Sequence, residues 1–452
     1  MREVNLTQGP ILGRLVRFSL PMIAGNMLQQ VYNLVDTLVV GRGIGAQALA
    51  AVGSAYTLMT FLTSILIGLC MGSGAFFSEA YGAGDQTRLR QDVKLSFWFI
   101  FGVSLLIYAV IYPCMDPILR LLQTPPELMG LMREYVSAVF TGIIFVFLYN
   151  FFAYLLRSMG NSLAALLFLA VSAVLNIVLD IWFVMGLSMG VAGAAWATVI
   201  SQAVSGLGIM AYSFAKLPQL RRGGGDWDWG RFGQIVRNDV ATGIQQSVMN
   251  FGILMIQGLV NSFGTVIMAA FAAAVKIDTL AYMPAQEFGN AYSLFVSQNF
   301  GAGESERIRK GTRLSFLLSA AFCALVSCGI FLLAPRLMGC FVDAGETEVI
   351  AQGTWYLRIE GAAYVGIGVL FLWYGYFRGI RRPQISLVLT VISLGTRVLL
   401  AYALAPRTSL GVTAIWLAIP IGWVLADGAG VWFYGKQKKA SPPGKLARRS
   451  RD

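Results

Sequence analysis

Residues Phe76–Arg90, FFSEAYGAGDQTRLR, return 219 residues further along the chain as Phe295–Arg309, FVSQNFGAGESERIR. Seven of the 15 positions are identical, and three more carry conservative replacements. Weaker correspondences link other parts of the two halves: Gln29-Gln30 with Gln245-Gln246, Arg157 with Arg378, and Gly190-Val191 with Gly411-Val412. Self-similarity at a fixed offset is the signature of a repeated structural unit, so the sequence predicts an internal duplication.

The repeat is set in a very apolar chain. Of 452 residues, 57% are hydrophobic and 12% are charged, whereas soluble domains carry about 25% charged residues. Uncharged runs such as Tyr135–Leu156 and Leu314–Ala334 match the ~20 residues that a helix needs to cross a bilayer. The composition therefore predicts an all-α polytopic membrane protein.

Charge-free runs place twelve transmembrane helices, six in each half. The predicted spans lie near residues 15–40, 46–76, 95–115, 134–156, 162–184, 190–215, 238–261, 265–296, 314–334, 353–377, 384–404 and 410–434. An even number of spans in each half makes the two copies parallel, related by an axis along the membrane normal. Two such lobes around a midplane cavity are typical of transporters.

The basic residues support this count. With the N-terminus in the cytoplasm, the tails and cytoplasmic loops hold 26 of the 34 Lys and Arg residues and the outer loops hold 5. The other three, Lys276, Arg358 and Arg397, fall within spans. This bias follows the positive-inside rule and predicts that both termini are cytoplasmic. The net charge of +12 then needs no nucleic-acid partner.

The domain organisation follows from the spans. We expect an N-terminal lobe over 1–215, a cytoplasmic linker over 216–237, a C-terminal lobe over 238–434 and a basic cytoplasmic tail over 435–452. The tail is expected to lie against anionic lipid.

Composition also excludes several chemistries. The chain has no histidine, so Ser-His-Asp catalysis and histidine-ligated metals are excluded. The five cysteines form no CxxC pair, which argues against a zinc site or a disulfide framework. No Walker motif is present, so ATP does not drive transport. The sequence predicts a secondary transporter, not an enzyme, and no bound cofactor other than a coupling ion.

Acidic residues within the spans are the strongest functional candidates. Asp36 follows Asn26, Gln30 and Asn33 on one face of the first helix. An ionised carboxylate near the bilayer centre costs at least about 2.5 kcal/mol. Asp180 is near the outer end of the fifth helix, and two carboxylates that share a low-dielectric pocket do not both stay ionised cheaply. Such a pair binds a proton, or Na+ if neighbouring oxygens contribute.

The order of motifs resembles the multidrug and toxic compound extrusion (MATE) family. The resembling stretches are Phe18–Pro21 (FSLP), Gln29–Asp36 (QQVYNLVD) with Gly41-Arg42, Tyr81–Asp85 (YGAGD), Asn299–Gly303 (NFGAG), Leu175–Asp180 (LNIVLD) and Gly190–Ala195 (GVAGAA). The resemblance implies a V-shaped pair of six-helix lobes in the bacterial plasma membrane. It further implies a monomer that exports small organic cations in exchange for H+ or Na+.

The resemblance also implies a coupling-ion site in the N-terminal lobe. Family members that bind the ion there use an Asp in the first helix and an Asn-x-x-x-Asp in the fifth, completed by a Thr in the sixth and an Asn in the fourth. Asp36, Asn176 and Asp180 occupy the matching motif positions, Thr198 fits the sixth helix, and Asn150 is the candidate in the fourth. Pro21 removes a backbone hydrogen bond, so we expect the first helix to bend when the ion binds.

In the C-terminal half, the candidates for substrate binding or ion pairing are Glu360, Lys276, Asp278, Glu287 and Gln257, beside the basic residues Arg358 and Arg397. Their pairing stays open: Lys276 could face either acid, and so could Arg397. Glu360 is the acid expected to meet substrate, unless it forms a structural ion pair. Some MATE proteins use an acid in the seventh helix. Here the polar residues expected in that helix are the amides Gln245, Gln246, Asn250, Gln257 and Asn261, and this departure argues against an ion site in the C-terminal lobe.

Two other functions stay open at this point. A flippase of the same superfamily moves lipid-linked anionic substrates and would need a basic cavity, which the three cations within spans could supply. That class usually has two more helices than the twelve predicted here. A membrane hydrolase could use Asp36 and Asp180 as paired aspartates, but the lobe duplication and the lack of a substrate-binding loop argue against it.

Overall fold

The computed structural model describes residues 4–121, 124–217, 220, 227–343 and 345–440, and this part of the chain forms helices without strands. The helices are α1 (Ile11–Gly43), α2 (Ala46–Gly82), α3 (Gln86–Ile111), α4 (Met115–Leu121), α5 (Pro126–Thr141), α6 (Ile143–Ser158), α7 (Ser162–Asp180), a π-helix (Ile181–Gly186), α8 (Gly190–Lys216), α9 (Trp229–Asn261), α10 (Thr265–Gly301), α11 (Ser305–Gly339), α12 (Thr347–Gly361), α13 (Tyr364–Gly379), α14 (Pro383–Leu404) and α15 (Val412–Ala440).

The predicted all-α membrane fold is confirmed. Among the residues that the structure describes, eight helices are long and apolar enough to span a membrane, and two bent helix pairs qualify as one span each. The more polar helices α1 and α9, of 33 residues each, bring the total to the predicted twelve. Equal lengths also reveal the duplication, because α2 and α10 both have 37 residues.

The repeated stretch forms the same turn in both halves. α2 ends at Gly82, and Gly84 takes a φ of 71° before α3 begins at Gln86. In the second copy the corresponding residue is Gly303, with a φ of 77°. A left-handed conformation after a helix end favours glycine, which explains why this motif persists in both copies.

The fourth and tenth spans were predicted as continuous helices, and this was wrong. Each consists of two helices, with a bend of 46° between α5 and α6 and of 52° between α12 and α13. The first break is at Gly142 and the second at Ala362-Ala363, after Gly361. Glycine lowers helix propensity, but hydropathy alone does not show such a break.

Several helices extend beyond their predicted ends. α3 begins at Gln86 instead of 95, and α9 begins at Trp229 instead of 238. Charged first turns continue these helices into water, so a charge-free run underestimates their length. Part of the predicted linker (218–219 and 221–226) and the tail from 441 lie outside the described residues.

The chain divides into two compact units, each built from more than one segment. Unit 1 comprises Met1–Asn5 and Leu20–Gly243, and unit 2 comprises Leu6–Ser19 and Ile244–Asp452. The division therefore falls inside α1 and inside α9, instead of in the linker between the two predicted lobes. Each of these helices belongs to one unit at its start and to the other in its remaining length.

In unit 1, a buried ion pair fixes the start of α9. Nε and Nη2 of Arg231 each donate a hydrogen bond of 2.6 Å to Asp92 of α3. The guanidinium also lies 4.6 Å from the centre of the Phe76 ring. Asp92 is fully buried and Arg231 is 7% exposed, so a charge left without its partner would remain in an apolar environment.

Small residues bring α2 and α9 close together in the same unit. A Cβ at Gly68 would lie 2.6 Å from Cα of Gly243, and one at Gly72 would lie 2.8 Å from Cα of Asp239. The Ser73 hydroxyl donates a hydrogen bond to Oδ2 of Asp239. Glycines four residues apart allow this close helix contact, as in other membrane helix pairs.

In unit 2, two side chains hold the segment that precedes α1 by donating hydrogen bonds to its backbone carbonyl oxygens. Arg307 donates hydrogen bonds to the carbonyl oxygens of Leu6, Gln8 and Gly9. Asn299 donates another to Leu6, at 3.2 Å. Both donors belong to the repeated stretch, so the motif serves the packing of the chain as well as the turn.

We expect Arg231→Ala to destabilise the folded protein by about 3 kcal/mol or more, because it leaves Asp92 buried without its partner. The thermal unfolding midpoint of the detergent-solubilised protein measures this effect. Arg309→Ala is the matched control, since it breaks an exposed pair with Glu306 and should change the midpoint little. Equal shifts in the two variants would show that burial of the pair does not matter.

Candidate functional site

In unit 1 Asp36 of α1 and Asp180 of α7 are close enough for their carboxyl groups to influence each other electrostatically. Asp180 is fully buried and Asp36 is half-buried. Within the described residues, Oδ1 of Asp36 and both carboxyl oxygens of Asp180 have no hydrogen-bond partner. Two neighbouring carboxylates repel each other, so binding of a proton or a cation by the pair is favoured.

The backbone around the acid pair explains how α1 and α7 approach each other. Asp180 is the last residue of α7, and the π-helix follows directly. Short π-helical turns occur frequently at functional sites. At the end of α1, a Cβ at Gly43 would lie 2.8 Å from Val184 of the π-helix. Glycine therefore permits the close contact next to the site.

Two of the other predicted ligands lie beside the acids. Asn176 precedes Asp180 by one helical turn, and its Nδ2 is 3.5 Å from the Thr198 hydroxyl. Asn176 is 3% exposed, and its Oδ1 has no hydrogen-bond donor within the described chain. The Thr198 hydroxyl donates to the carbonyl oxygen of Ala194 at 3.1 Å. Carboxylate, amide and hydroxyl oxygens are hard ligands that suit a proton or a small cation.

The Asn150 side chain makes a contact other than the ion ligation that the family resemblance implies. Its side chain donates a hydrogen bond of 2.9 Å to the carbonyl oxygen of Val146, one turn earlier in α6. The amide thus satisfies the backbone of its own helix. Its part in an ion site remains a prediction.

Tyrosines lie near the acid pair, and they are not among the site residues predicted from the sequence. Tyr135 of α5 is 6% exposed and interacts electrostatically with both Asp36 and Asp180. Tyr32 interacts with Asp36 and Tyr56, and Tyr56 accepts a hydrogen bond from Asn33. Tyr32 precedes Asp36 by one turn of the same helix, and this spacing could have indicated that the tyrosine lies near the acid. No sequence signal indicated Tyr135.

Unit 2 contains a second carboxyl pair, formed by Asp278 of α10 and Glu360 of α12. The two acids are close enough to influence each other and the nearby Tyr356 and Tyr364 electrostatically. Arg397 of α14 is near enough for its positive charge to act on both acids. A direct pairing of Arg397 with either acid stays a prediction, because no salt bridge joins them within the described residues.

The other candidates of the second half lie elsewhere in unit 2. Lys276 is exposed, in a pocket that also contains Asp343 and Glu346. Glu287 accepts a hydrogen bond from Asn290, which in turn accepts one from Arg378. Gln257 donates to Asn261 of its own helix at 2.8 Å. These side chains do not join the described contacts of the Asp278–Glu360 pair.

Asp239 is a further acid that the sequence analysis missed. It belongs to α9, where the sequence analysis singled out only amides. The side chain is fully buried, and Oδ1 has no hydrogen-bond partner within the described chain. Asp239 lies within the predicted seventh span, so its position alone could have marked it as a candidate functional residue.

Pro21 lies inside α1, as expected. It follows Ser19, the last residue of α1 that belongs to unit 2, by two positions. The missing backbone hydrogen bond therefore falls where α1 passes from one unit to the other. A helix bends most readily at such a point.

We expect Asp180→Asn to make the thermal unfolding midpoint less dependent on pH between neutral and alkaline conditions. In the wild type, ionisation of both acids places two negative charges near each other in a buried region, which destabilises the folded state. The amide carries no such charge. Asp116→Asn, which removes an acid that is 43% exposed, is the control and should keep the wild-type profile. Identical profiles for all three proteins would contradict a shared proton at this pair.

Comparisons with known proteins agree with this architecture. The MatE family profile matches residues 21–182 and 241–403. YpnP of Bacillus subtilis (strain 168), named a probable multidrug resistance protein, is 29% identical over 445 residues, covering 96% of this chain and 97% of that protein. A Shewanella oneidensis protein named FAD transporter is 25% identical over 431 residues, covering 92% of this chain and 93% of that protein.

A solved structure gives the same result for the fold. It is described as the outward-facing conformation of a multidrug resistance MATE family transporter of the MOP superfamily. The TM-score is 0.88 at 25% sequence identity, over 97% of this chain and 98% of that one. With the family profile matched in both halves, the chain belongs to the MatE family of multidrug and toxic compound extrusion transporters.

Proposed function

We propose that this transporter is a secondary active antiporter that exports small organic cations in exchange for H+ or Na+ bound at Asp36 and Asp180. The observation that carries this proposal is the proximity of two acids in unit 1, three of whose carboxyl oxygens are buried without a hydrogen-bond partner within the described residues. The charge of such a pair changes when a proton or a cation arrives or leaves. Multidrug resistance is also part of the name of YpnP and of the description of the matching solved structure.

The exchange follows from the charge of the pair. With protons bound, the two carboxyl groups are neutral and do not attract a cation. Without them, up to two negative charges lie together in a region poor in water, and a cation is strongly favoured there. Protons and cations therefore compete for this part of unit 1, which is the basis of antiport.

Conformational change is proposed to start in α1. Loading of Asp36 alters the contact between α1 and α7, and Pro21 provides the point at which α1 bends. Asn176, one turn before Asp180, and Thr198, which accepts a hydrogen bond from Asn176, are the proposed additional ligands. The sequence does not distinguish H+ from Na+, and the oxygen-rich site is compatible with either ion.

The position in the cell is part of the same proposal. The protein is a multi-pass membrane protein, and the basic loops favour cytoplasmic N- and C-termini in a bacterial plasma membrane. We expect the monomer to be sufficient for transport, because each unit contains its own complete carboxyl pair.

The structure does not favour the flippase alternative. That function needs a basic cavity, and the three basic residues within spans would have to converge to form it. Arg358 instead lies 5.4 Å from the ring centre of Phe331, Lys276 is exposed beside acids, and Arg397 faces a carboxyl pair. A single arginine next to two acids does not make a basic cavity.

The proposal is tested by dye extrusion from proteoliposomes under an imposed pH gradient or Na+ gradient. We expect ethidium efflux under one of the gradients, which identifies the coupling ion. Asp36→Asn should reduce efflux to the level of protein-free liposomes, because the amide does not exchange a proton and lacks the negative charge that attracts a cation. Asp116→Asn should transport at the wild-type rate.

Wild-type efflux by Asp36→Asn would eliminate the proposed role of the pair. If the wild type moves no dye under either gradient, organic-cation antiport is wrong for this chain. Labelled lipid and flavin adenine dinucleotide would then be tested in the same liposomes, since one relative is named FAD transporter.

A further inference from the structure

The segment that precedes α1 belongs to both units. Its residues 4 and 5 are part of unit 1, and the residues from Leu6 onwards are part of unit 2. The side chains of Val4 and Leu6, on either side of Asn5, are both buried. This N-terminal arm, residues 4–9, is therefore held by groups from two units, which suits it to restrain movement between them.

The start of the arm is held by the turn between α6 and α7 of unit 1. The backbone N–H of Val4 donates a hydrogen bond of 3.0 Å to the carbonyl oxygen of Gly160. Gly160 has a φ of 85°, a conformation that glycine adopts without strain. A Cβ at this position would lie 2.2 Å from the carbonyl oxygen of Val4. Glycine is therefore required both by the turn and by the close passage of the arm.

The rest of the arm is held where α10 ends and α11 begins, in unit 2. The guanidinium of Arg307 donates three hydrogen bonds, of 2.8 to 3.1 Å, to the carbonyl oxygens of Leu6, Gln8 and Gly9. Nδ2 of Asn299 donates another, of 3.2 Å, to Leu6. A planar guanidinium presents its donors in a fixed geometry. This end of the arm therefore has a specific binding site.

The repeat shows how Arg307 becomes available for the arm. At the offset of 219 residues, Arg307 corresponds to Arg88, and Gln298 corresponds to Glu79. In the first copy, the guanidinium of Arg88 lies 3.6 Å from the carboxylate of Glu79. The second copy has the neutral Gln298 in place of this acid, and none of the ion pairs in the described part of the chain includes Arg307. The same motif thus serves a different contact in each unit.

The two ends of the arm are held by hydrogen bonds of different kinds. The bond between Val4 and Gly160 joins two neutral backbone groups, whereas Arg307 is a charged donor, and charge-assisted hydrogen bonds are stronger. Only Asn5 separates Val4 from Leu6, and an extended chain spans at most about 3.6 Å per residue. A movement that separates the units at this point therefore breaks one end of the arm, and the weaker end is at Gly160.

We propose that the N-terminal arm is a strap that restrains the movement of unit 1 relative to unit 2. The strap is closed when Val4 is bound to Gly160. It opens at this end while Arg307 remains bound to the rest of the arm, and the units then move more freely. The restraint is distinct from the proposed antiport, and it does not depend on which ion or compound is carried.

Distances between two spin labels on the detergent-solubilised full-length chain test the strap. The labels are attached at Lys216→Cys and Lys310→Cys, one exposed position in each unit, after the five native cysteines have been replaced by alanine. We expect Gly160→Ala to broaden the distance distribution and to add a second, longer distance, because the added Cβ displaces Val4 from the turn.

Gly84→Ala is the matched control for Gly160→Ala. Gly84 also has a positive φ, of 71°, but no atom of the described chain lies within 4 Å of an added Cβ. The two substitutions therefore strain the backbone alike, and only one of them displaces the arm. Gly84→Ala should leave the distance distribution unchanged.

Two further substitutions reach the strap without changing Gly160. Val4→Pro removes the N–H that binds Gly160 and should broaden the distribution as Gly160→Ala does. Arg307→Ala releases the other end and should have the same effect. Arg307→Lys should not restore the parent distribution, because an ammonium group lacks the fixed fork of the guanidinium. Arg309→Ala, in the same helix turn, changes an exposed side chain and should have no effect.

The order of opening is tested by the reaction of a maleimide with Val4→Cys and with Leu6→Cys in the cysteine-free chain. We expect the thiol introduced at position 4 to react about ten-fold faster than the thiol at position 6, because charged donors hold the second position more strongly. Adding Arg307→Ala should raise the rate at position 6 to that at position 4. Adding Arg309→Ala should change neither rate.

An unchanged distance distribution in both Gly160→Ala and Val4→Pro would overturn the proposal. Equal broadening by Gly84→Ala and Gly160→Ala, with none in Val4→Pro, would overturn it as well, since backbone strain would then be the cause. Faster reaction of Leu6→Cys than of Val4→Cys would show that the arm opens first at Arg307. Size-exclusion chromatography verifies that each variant is folded, and Val4→Pro decides if Gly160→Ala is not.

Discussion

A charge inside a membrane span must be neutralised where it lies, because neither lipid nor a packed apolar core can solvate it. This constraint accounts for the buried polar structure of both units. Asp92 is neutralised by the two hydrogen bonds from Arg231, which fixes the start of α9. The acid pairs have no such full neutralisation in the chain itself. In the proposed antiport mechanism, a mobile proton or cation completes the charge balance at Asp36 and Asp180, and transport activity is expected to depend on them.

The duplication gives the two units related architectures and different charges. Tyr135 and Tyr356 show that each copy contains a tyrosine next to an acid pair. At another equivalent position, unit 1 has the neutral Asn176 and unit 2 has the cationic Arg397. The acids of unit 2 therefore lie near a permanent positive charge, whereas the acids of unit 1 have a neutral amide at the equivalent position.

Much of the fold could be predicted from the sequence because membrane helices depend on simple physical quantities. Apolar length, the distribution of basic residues and the repeated Gly-Ala-Gly turn gave the twelve spans and their order. The bend at Gly142 could not be found in this way, since hydropathy is insensitive to a local loss of helix propensity. The extension of α9 to Trp229 was also missed, because a charged segment that pairs with a buried partner resembles a solvated linker.

The candidate site was predictable where a carboxylate stood alone in an apolar span, as for Asp36 and Asp180. It was not predictable where function depends on neighbours from distant helices. Tyr135 is one of many aromatic residues in its span, and only the folded chain shows that it reaches the acids. The neighbours of Asp278 likewise are 78 or more residues away in sequence. The spacing of residues within one helix does not predict such contacts between helices.

The division of α1 and α9 between the units has a consequence for biosynthesis. Unit 1 extends to Gly243, and unit 2 includes the segment Leu6–Ser19 near the start of the chain. As the chain emerges from the ribosome, the first six spans are made before the residues that finish their own unit. That unit is complete only once Arg231 has reached Asp92, by which time the seventh helix is entering the membrane. The two halves of the gene therefore cannot be expressed as independent proteins without leaving each unit short of one helical segment.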